Sequence, residues 1–288
     1  MRQAQGGEHE ILVDFLDGKV RGLSPSALPG KRSDMEEIDM SAGYIRAEGQ
    51  YWTDPYNPVC CSVPADPTEC LHCYAETTSN RFNLDFRHRG FSEKRAVAPM
   101  RARKPRIYFT SMGDLLDPSL TEREVHRVLT VIDACPEHVF LVCTKRTNRI
   151  GVFGPWLKRG TPNLWLAASA SDQESAERRW RELCAAWSGY RWIILEPLLG
   201  PVDMDKVIAA AGGQEPEWVV VGRETGKDPR ELEPGNSLYN VSYCFDMIVA
   251  WCEKHGIPVW IKSAPADVER ARQMPDPLAA IWKVRGRP

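Results

Sequence analysis

The sequence lacks the features of a membrane or exported protein. No apolar run approaches the roughly 18 residues that a membrane span needs, and the opening MRQAQGGEHE lacks the apolar stretch of a signal peptide. We therefore expect a cytoplasmic location and no membrane partner.

The sequence also lacks an excess of charge of one sign. Its 37 Lys and Arg residues nearly balance 39 Asp and Glu residues, which gives a net charge of -2. This balance excludes a uniformly basic protein that coats nucleic acid, but it allows a local basic patch. Since 43% of the 288 residues are hydrophobic, the chain can bury a large core, and we predict a globular protein.

The start of the chain differs in composition from the rest. The first 54 residues hold ten Asp and Glu against six Lys and Arg, and a stretch rich in Ser, Pro and Gly runs from Leu23 to Ser33. We predict an irregular acidic arm over residues 1–50 and one folded domain over residues 51–288.

From Arg106 onward, short apolar runs alternate with amphipathic stretches. The runs are rich in Val, Ile, Trp and Phe, and the stretches between them carry helix-start signals at Thr121 and Asp172. Buried strands that alternate with helices indicate a parallel sheet. The runs cover residues 106–114, 139–146, 163–172, 190–197, 217–226 and 258–265, and residues 51–59 supply a candidate seventh. Because this falls short of a closed eight-stranded barrel, we predict an α/β fold, a partial (β/α) barrel of six to seven parallel strands.

Polar or charged residues follow each run. Ligands of parallel α/β proteins bind at the carboxyl ends of the strands, so we expect these residues to line one mouth. Taken singly, each is equally well explained by a solvated loop or a helix cap. The candidates are Ser111, Asp114, Thr144, Lys145, Arg146, Ser169, Ser171, Glu196, Arg223, Glu224 and Lys262.

Clustered cysteines indicate a metal. Four of the nine cysteines lie between Cys60 and Cys73, and cytosolic thiols stay reduced. The Cys70-x2-Cys73 pair has metal-ligand spacing, and one of the adjacent Cys60 and Cys61 can add a third thiolate. Three thiolates suit a [4Fe-4S] cluster with one open iron better than a four-ligand zinc site, although zinc and no metal remain alternatives. An open iron can bind S-adenosylmethionine (SAM), and one-electron reduction then yields a deoxyadenosyl radical that abstracts hydrogen.

Several mouth residues have side chains that suit SAM or a substrate. Lys145 can hold the methionine carboxylate or a phosphate, or it can form a salt bridge at a helix start. Glu196 would be costly to bury alone, and it can accept a hydrogen bond from a ribose hydroxyl, an ammonium group or Lys262. Ser169 and Ser171 suit contacts with a ribose, whereas Asp172 is better explained as a helix cap.

The strongest charge run spans residues 81–106, where nine Lys and Arg residues face two acids. Phe82, Phe86 and Phe91 lie among the basic residues, and such a mixture is typical of nucleic-acid contacts. A solvated loop explains the run equally well. The candidate nucleic-acid-binding residues are Arg87, Arg89 and Arg95.

Seven blocks between residues 51 and 265 form a combined pattern. They are WTDPYNPVCCSVPADPTECLHCYAE, RIYFTSMGDLLDP, FLVCTKRTNRI, LWLAASASDQESAERR, WIILEPLLGPVD, WVVVGRETG and VWIKS. Together they resemble a radical-SAM-like family of phages and bacteria known by the phage proteins Gp37 and Gp68. The first spacing between cysteines is longer than in most radical SAM enzymes. Gly222-Arg223-Glu224 also stands where that family usually has Gly-Gly-Glu.

The resemblance implies a radical SAM enzyme that uses a [4Fe-4S] cluster, SAM and an external electron donor. The implied substrate is a nucleobase in phage DNA, and the implied reaction is isomerisation or group transfer on a hypermodified thymine in the host cytoplasm. Radical modification of tRNA or a peptide is an alternative, and a zinc-stabilised nucleic-acid-binding module without catalysis is another. The resemblance implies Cys61, Cys70 and Cys73 as cluster ligands and Ser111, Met112, Gly113 and Asp114 near the methionine amino group. With them we predict Lys145, Ser169, Ser171 and Glu196 as cofactor contacts, and Glu196 and Lys262 as catalytic residues.

Overall fold

The computed structural model describes residues 50–83, 85–88, 90–159, 161–225, 229–230, 241–265, 268 and 271–284. The predicted acidic arm, apart from Gln50, lies outside these residues, and so does Arg89. No helix within the described ranges is long and apolar enough to cross a membrane.

Seven parallel strands in chain order form a sheet that is curled into a half-barrel. The strands are β1 (Asp54–Pro55), β2 (Ile107–Phe109), β3 (Val139–Thr144), β4 (Leu164–Ala170), β5 (Tyr190–Leu195), β6 (Val219–Gly222) and β7 (Val259–Ser263). Each lies within one of the apolar runs. The predicted partial barrel is therefore confirmed, including its seventh strand.

Helices connect the strands. They are α1 (Tyr74–Arg81), α2 (Glu93–Ala96), α3 (Glu122–Asp133), α4 (Trp156–Arg159), α5 (Gln173–Ala186), α6 (Met204–Ala210), α7 (Val241–His255) and α8 (Asp276–Val284), with 3₁₀ helices at Ala98–Arg101 and Thr147–Phe153.

Both predicted helix starts are confirmed. Thr121 Oγ1 accepts a hydrogen bond from Glu124 N, and Glu124 Oε2 accepts one from Thr121 N at 2.8 Å. Asp172 Oδ1 accepts from Ser175 N at 2.8 Å, so this carboxylate caps α5 as predicted.

Alternation along the strands separates two packing layers. One set of side chains packs with the helices, and the other fills the inner face of the half-barrel with large aromatic rings. Trp192 and Trp218 stack there at 5.2 Å between ring centroids. Leu278, Ile281 and Trp282 of α8 pack against this inner layer. The inner face is thus a packed core and not an open channel.

The same alternation places polar residues beyond the aromatic layer. On β5, Trp192 and Ile194 belong to the inner layer, and Glu196 is the next residue of that face. On β7, Lys262 follows Trp260 in the same way. The carboxyl ends of the strands therefore present polar side chains above an aromatic floor.

Candidate functional site

The segment from Cys60 to Cys73, here called the cysteine loop, is tied to the carboxyl ends of several strands. After β2, Asp117 accepts hydrogen bonds from Ser62 N at 3.0 Å and from Ser62 Oγ at 2.6 Å. After β3, Arg146 Nη2 donates to Val63 O at 2.6 Å and to Asp117 Oδ2 at 3.2 Å. Asp117 and Arg146 thus hold the chain that directly follows Cys61.

Glu69 anchors the loop beside Cys70. Its buried carboxylate accepts from Lys145 Nζ at 2.7 Å and from Arg179 Nη1 at 2.7 and 2.9 Å. Arg179 lies on α5 with 1% of its surface exposed, and its Nη1 also donates to Ser169 O at 2.6 Å. Lys145 therefore forms a salt bridge, but its partner belongs to the cysteine loop and not to a helix start, which was the second of its two predicted explanations.

The end of β6 holds the loop from another side. Glu224 accepts from Arg230 N at 2.7 Å and lies 3.1 Å from His72 Nδ1, while Arg230 Nη1 donates to Thr68 O at 2.6 Å. Burial opposes ionisation of Glu224, but the hydrogen bonds from Arg230 and His72 outweigh it and lower its pKa to about 2. The Glu224 carboxylate is consequently a permanent negative charge at neutral pH.

The two adjacent cysteines occupy different environments. Cys60 is buried in an apolar cluster with Ala75, Phe86 and Met112, whereas Cys61 is half-buried against that cluster. Burial, followed by the carboxylates of nearby Asp114 and Asp117, raises the pKa of the Cys61 thiol. Because Cys61 is less buried than Cys60, it is the better candidate ligand of the pair, although its raised pKa disfavours the thiolate.

Cys70 and Cys73 bracket the turn that leads into α1. Cys73 is the N-cap residue of this helix, and its side chain forms no capping hydrogen bond. The backbone amides of Glu76 and Ala75 act to lower its pKa. Burial nevertheless raises the pKa of Cys73 above its usual value. All nine cysteines of the chain are thiols and none forms a disulfide. Within the described ranges, no three His, Cys, Asp or Glu side chains converge closely enough to hold a single metal ion.

Glu196 and Lys262 meet at the mouth. Lys262 Nζ donates to Glu196 Oε1 at 2.6 Å, which confirms the predicted contact, and it lies 5.9 Å from the ring centroid of Trp52. The two side chains keep 18% and 27% of their surface exposed. A Cβ added at Gly222 would lie 3.0 Å from Glu196 Cδ, so the small residue leaves room for this carboxylate.

The turn from Ser111 to Asp114 is fixed by residues of the first strand region. Asn57 Oδ1 accepts from Ser111 N and Met112 N, both at 2.9 Å. The Met112 side chain is buried against Cys60, and Gly113 lies so close to Val59 O that a Cβ would overlap it. Backbone groups and the half-buried Ser111 hydroxyl are therefore what this turn can offer a cofactor.

Asp114 and the serines at the end of β4 differ in whether their side-chain oxygens already have hydrogen-bond partners in the protein. The buried Asp114 carboxylate accepts from Leu116 N at 2.9 Å, Thr144 Oγ1 at 3.0 Å and Lys145 N at 3.1 Å. Burial raises the pKa of Asp114 despite these bonds. Ser169 is buried, and Ser171 is fully buried with an Oγ that has no hydrogen-bond partner among the described atoms. Asp114 thus ties β2 to β3, while Ser171 retains an unused hydroxyl.

Comparison with known proteins gives this chain a family. A family model described as "Protein of unknown function (DUF5131)" matches residues 48–266. The chain belongs to the DUF5131 family. No curated protein and no solved structure matches it. The DUF5131 match spans the cysteine loop and all seven strands, but its description names no reaction and no phage protein.

The basic stretch of this DUF5131 chain is divided between the interior and the surface. Arg87 Nε and Nη2 pair with the two carboxylate oxygens of Glu76 at 3.0 and 2.5 Å, and only Arg95 of the three predicted nucleic-acid contacts is described as exposed. Phe86 is buried and Phe91 packs against the core, which leaves Phe82, at 43% exposure, as the ring accessible for stacking. Arg87 is thus attached to the helix that Cys73 starts, since Glu76 belongs to that helix.

A cavity of about 230 Å³ lies at the amino ends of β3, β4 and β5, away from the mouth. It is lined by Asp133, Pro136, Val139, Pro162, Asn163, Trp165, Tyr190 and Pro277. The Asp133 carboxylate already accepts from Trp156 Nε1 and Thr161 Oγ1. The predicted functional residues of the DUF5131 chain therefore lie at the opposite end of the strands.

Five residues that position the site were missed by sequence analysis: Asn57, Glu69, Asp117, Arg179 and Arg230. One signal for Arg179 was present, since it lies on the helix face that Ala176, Trp180 and Leu183 bury. An arginine on an apolar helix face requires a buried acceptor. No local pattern marked Glu69 as that acceptor.

Proposed function

We propose that this DUF5131 protein is a radical SAM enzyme whose [4Fe-4S] cluster is held by Cys61, Cys70 and Cys73. The observation that carries the proposal is the position of the cysteine loop. Asp117, Arg146, Glu69 and Glu224 attach it across the carboxyl ends of β2, β3, β4 and β6. In parallel α/β proteins this is the edge where ligands bind.

The donor set fits a cluster better than a single metal ion. A zinc site needs its ligands gathered around one point, and the described residues contain no such group. Thiolates that bind different irons of a cluster do not have to converge on one atom. When bound, a [4Fe-4S] cluster with one open iron supplies the electron that cleaves SAM.

The residues at the mouth can bind the substrate and exchange protons with it during SAM-dependent chemistry. Lys262 Nζ and Glu196 Oε1 share a hydrogen bond in a partly exposed position, so a polar substrate group can reach both. Either group can then orient the substrate or exchange a proton with it at these two atoms. The half-buried Ser111 hydroxyl can provide a hydrogen bond to SAM or substrate, whereas the Ser171 hydroxyl is fully buried. The aromatic floor below them limits the access of water.

For the substrate we propose a hypermodified thymine in DNA, with isomerisation or group transfer as the reaction. Support comes from exposed basic side chains on α2 and in the chain that leads from it to β2: Lys94, Arg95, Arg101, Arg103 and Lys104. Such side chains can bind phosphates, and the same surface fits tRNA. Modification of tRNA is thus an outcome of the substrate test.

The proposed function is tested by SAM cleavage. Anaerobically reconstituted protein reduced with dithionite should release deoxyadenosine from SAM. Cys61→Ser, Cys70→Ser and Cys73→Ser should each abolish the release, because each removes a cluster ligand, whereas Cys60→Ser should retain most of it. If the parent protein leaves SAM intact, or if Cys60→Ser alone abolishes cleavage, the assignment is wrong.

A further inference from the structure

Arg87 lies next to the predicted cluster ligands and is fixed from two sides. Its guanidinium is bonded to both carboxylate oxygens of Glu76, and it lies 5.3 Å from the ring centroid of Phe86. Phe86 is 2% exposed and belongs to the apolar cluster against which Cys61 and Cys73 pack. Glu76 is three residues beyond Cys73 on α1. These contacts hold a cation at the α1 side of the cysteine site.

The charges around the three thiols are not alike. Cys61 faces Asp114 and Asp117, with Arg146 as its nearby cation. Cys73 faces the Cys70 thiol and Arg87. Arg230 lies near Cys70. Arg87 is thus the cation on the Cys73 side. Burial lowers the pKa of Arg87, but the hydrogen bonds and charge of Glu76, and after them the interactions with Cys73 and Cys61, raise it above its usual value.

We propose that Arg87 is a positioning residue that stabilises the reduced, more negative form of the cluster at Cys73, and that it does not contact nucleic acid. The inference rests on the proposed [4Fe-4S] cluster. One electron from the reductant adds one negative charge to the cluster and its thiolates. A cation close by lowers the free energy of that form, and it does so more strongly because the Arg87 side chain is only 21% exposed. Net charge and the surroundings of the sulfurs are known determinants of such potentials.

The role of Glu76 follows from the same geometry. Its carboxylate orients the guanidinium through two parallel hydrogen bonds, but its negative charge opposes the effect of Arg87 on the cluster. Removing the cation and removing the carboxylate should therefore move the reduction potential in opposite directions. Loss of packing alone would move both variants in the same direction.

The experiment is a redox titration of the cluster in the full chain, followed by the electron paramagnetic resonance signal of the one-electron-reduced form. Arg87→Gln should shift the midpoint to a lower potential, Arg87→Lys should lie between it and the parent, and Glu76→Gln should lie at or above the parent. Arg95→Gln, an exposed residue of the same basic stretch, is the matched control and should leave the midpoint unchanged. Cluster content is measured in each variant by iron and sulfide analysis.

The inference is overturned if Arg87→Gln has the same midpoint as Arg95→Gln, or if Arg87→Gln and Glu76→Gln shift together. Should Arg87→Gln bind no cluster, Glu76→Gln decides, because a midpoint below the parent's would contradict the proposed role. A parent protein that assembles no cluster would refute the proposed function itself, and with it this inference.

Discussion

Buried ionic side chains determine where the cysteine loop lies. Glu69 is 6% exposed and Arg179 1% exposed, so neither charge is solvated by water. A buried pair of this kind adds little net stability compared with apolar residues, but removing one partner typically costs about 3–5 kcal/mol. Such pairs fix the position of a segment, and this one holds the chain between Thr68 and Cys70 against the ends of β3 and β4.

The Glu224 carboxylate makes the stability of the folded protein depend on pH. Its pKa in the folded protein is about 2, well below the usual range, so its contribution to stability is present at neutral pH. That contribution should decline as the pH falls from about 5 towards 2, because the carboxylate then takes up a proton in the unfolded state first. Glu224→Gln should therefore be less stable than the parent by about 2 kcal/mol at pH 7, and the gap should narrow at pH 3.

The measurement is the free energy of unfolding in urea at both pH values. Glu93→Gln serves as the control, because its pair with Arg127 is exposed and should contribute about 0–1 kcal/mol. A Glu224→Gln gap that stays constant between pH 7 and pH 3 would refute the predicted linkage.

Residue-level prediction from sequence succeeded where a local pattern existed. The sequence placed Glu196 and Lys262 at strand ends, and Lys262, one of the three partners predicted for Glu196, forms the ion pair with it. Glu69 and Arg179 are separated by 110 residues, and nothing in either segment specifies the other. Sequence also assigned Arg87 to the surface, because the charge run gave no indication that Glu76 and Phe86 enclose it.

At the scale of elements, strand alternation explains both the aromatic floor and the polar mouth. The apolar runs predicted β2 to β7, since their composition is a local feature, whereas residues 51–59 supplied only a candidate for β1. The packing of α8 against the inner layer was not predicted, because it depends on the curl of the whole sheet. The two-residue β1 is defined by its pairing with β2, which no local signal specifies.

The turn after β2 yields a prediction for Gly113. A Cβ there would overlap Val59 O, and since that atom belongs to the backbone, the chain leading to Cys61 must shift. Gly113→Ala should therefore bind less iron per chain than the parent and lose about 1–3 kcal/mol of stability.

Gly151→Ala is the matched control for that change. Gly151 lies in the 3₁₀ helix Thr147–Phe153, and an added Cβ would meet no atom within 4 Å. Iron content after reconstitution and the unfolding temperature are measured for both variants. Equal iron binding by Gly113→Ala and Gly151→Ala would show that the Gly113 contact does not position the cysteine loop.

At the scale of the whole molecule, the exposed basic residues predict how DNA binding responds to salt. The slope of log affinity against log salt should be about -0.9 per phosphate neutralised on duplex DNA. Arg95→Ala, Arg101→Ala and Arg103→Ala combined should flatten this slope, because all three side chains are exposed. SAM cleavage should be unchanged, since the three side chains are exposed and lie outside the cysteine loop in sequence.

Binding is measured at several salt concentrations for the parent and the triple variant, with DNA and tRNA in parallel. A steeper slope of log affinity against log salt for tRNA than for DNA would indicate that the substrate is RNA. Salt-independent or absent binding of both would contradict a nucleic-acid substrate.

The central claim is that this half-barrel carries a [4Fe-4S] cluster on three cysteines of the loop at its mouth. The most direct measurement is iron, sulfide and zinc analysis of the protein after anaerobic preparation and reconstitution. We predict a brown protein with about four iron and four sulfide per chain. Both should be lost in Cys61→Ser, Cys70→Ser and Cys73→Ser. Stoichiometric zinc without labile sulfide in the parent protein would contradict it.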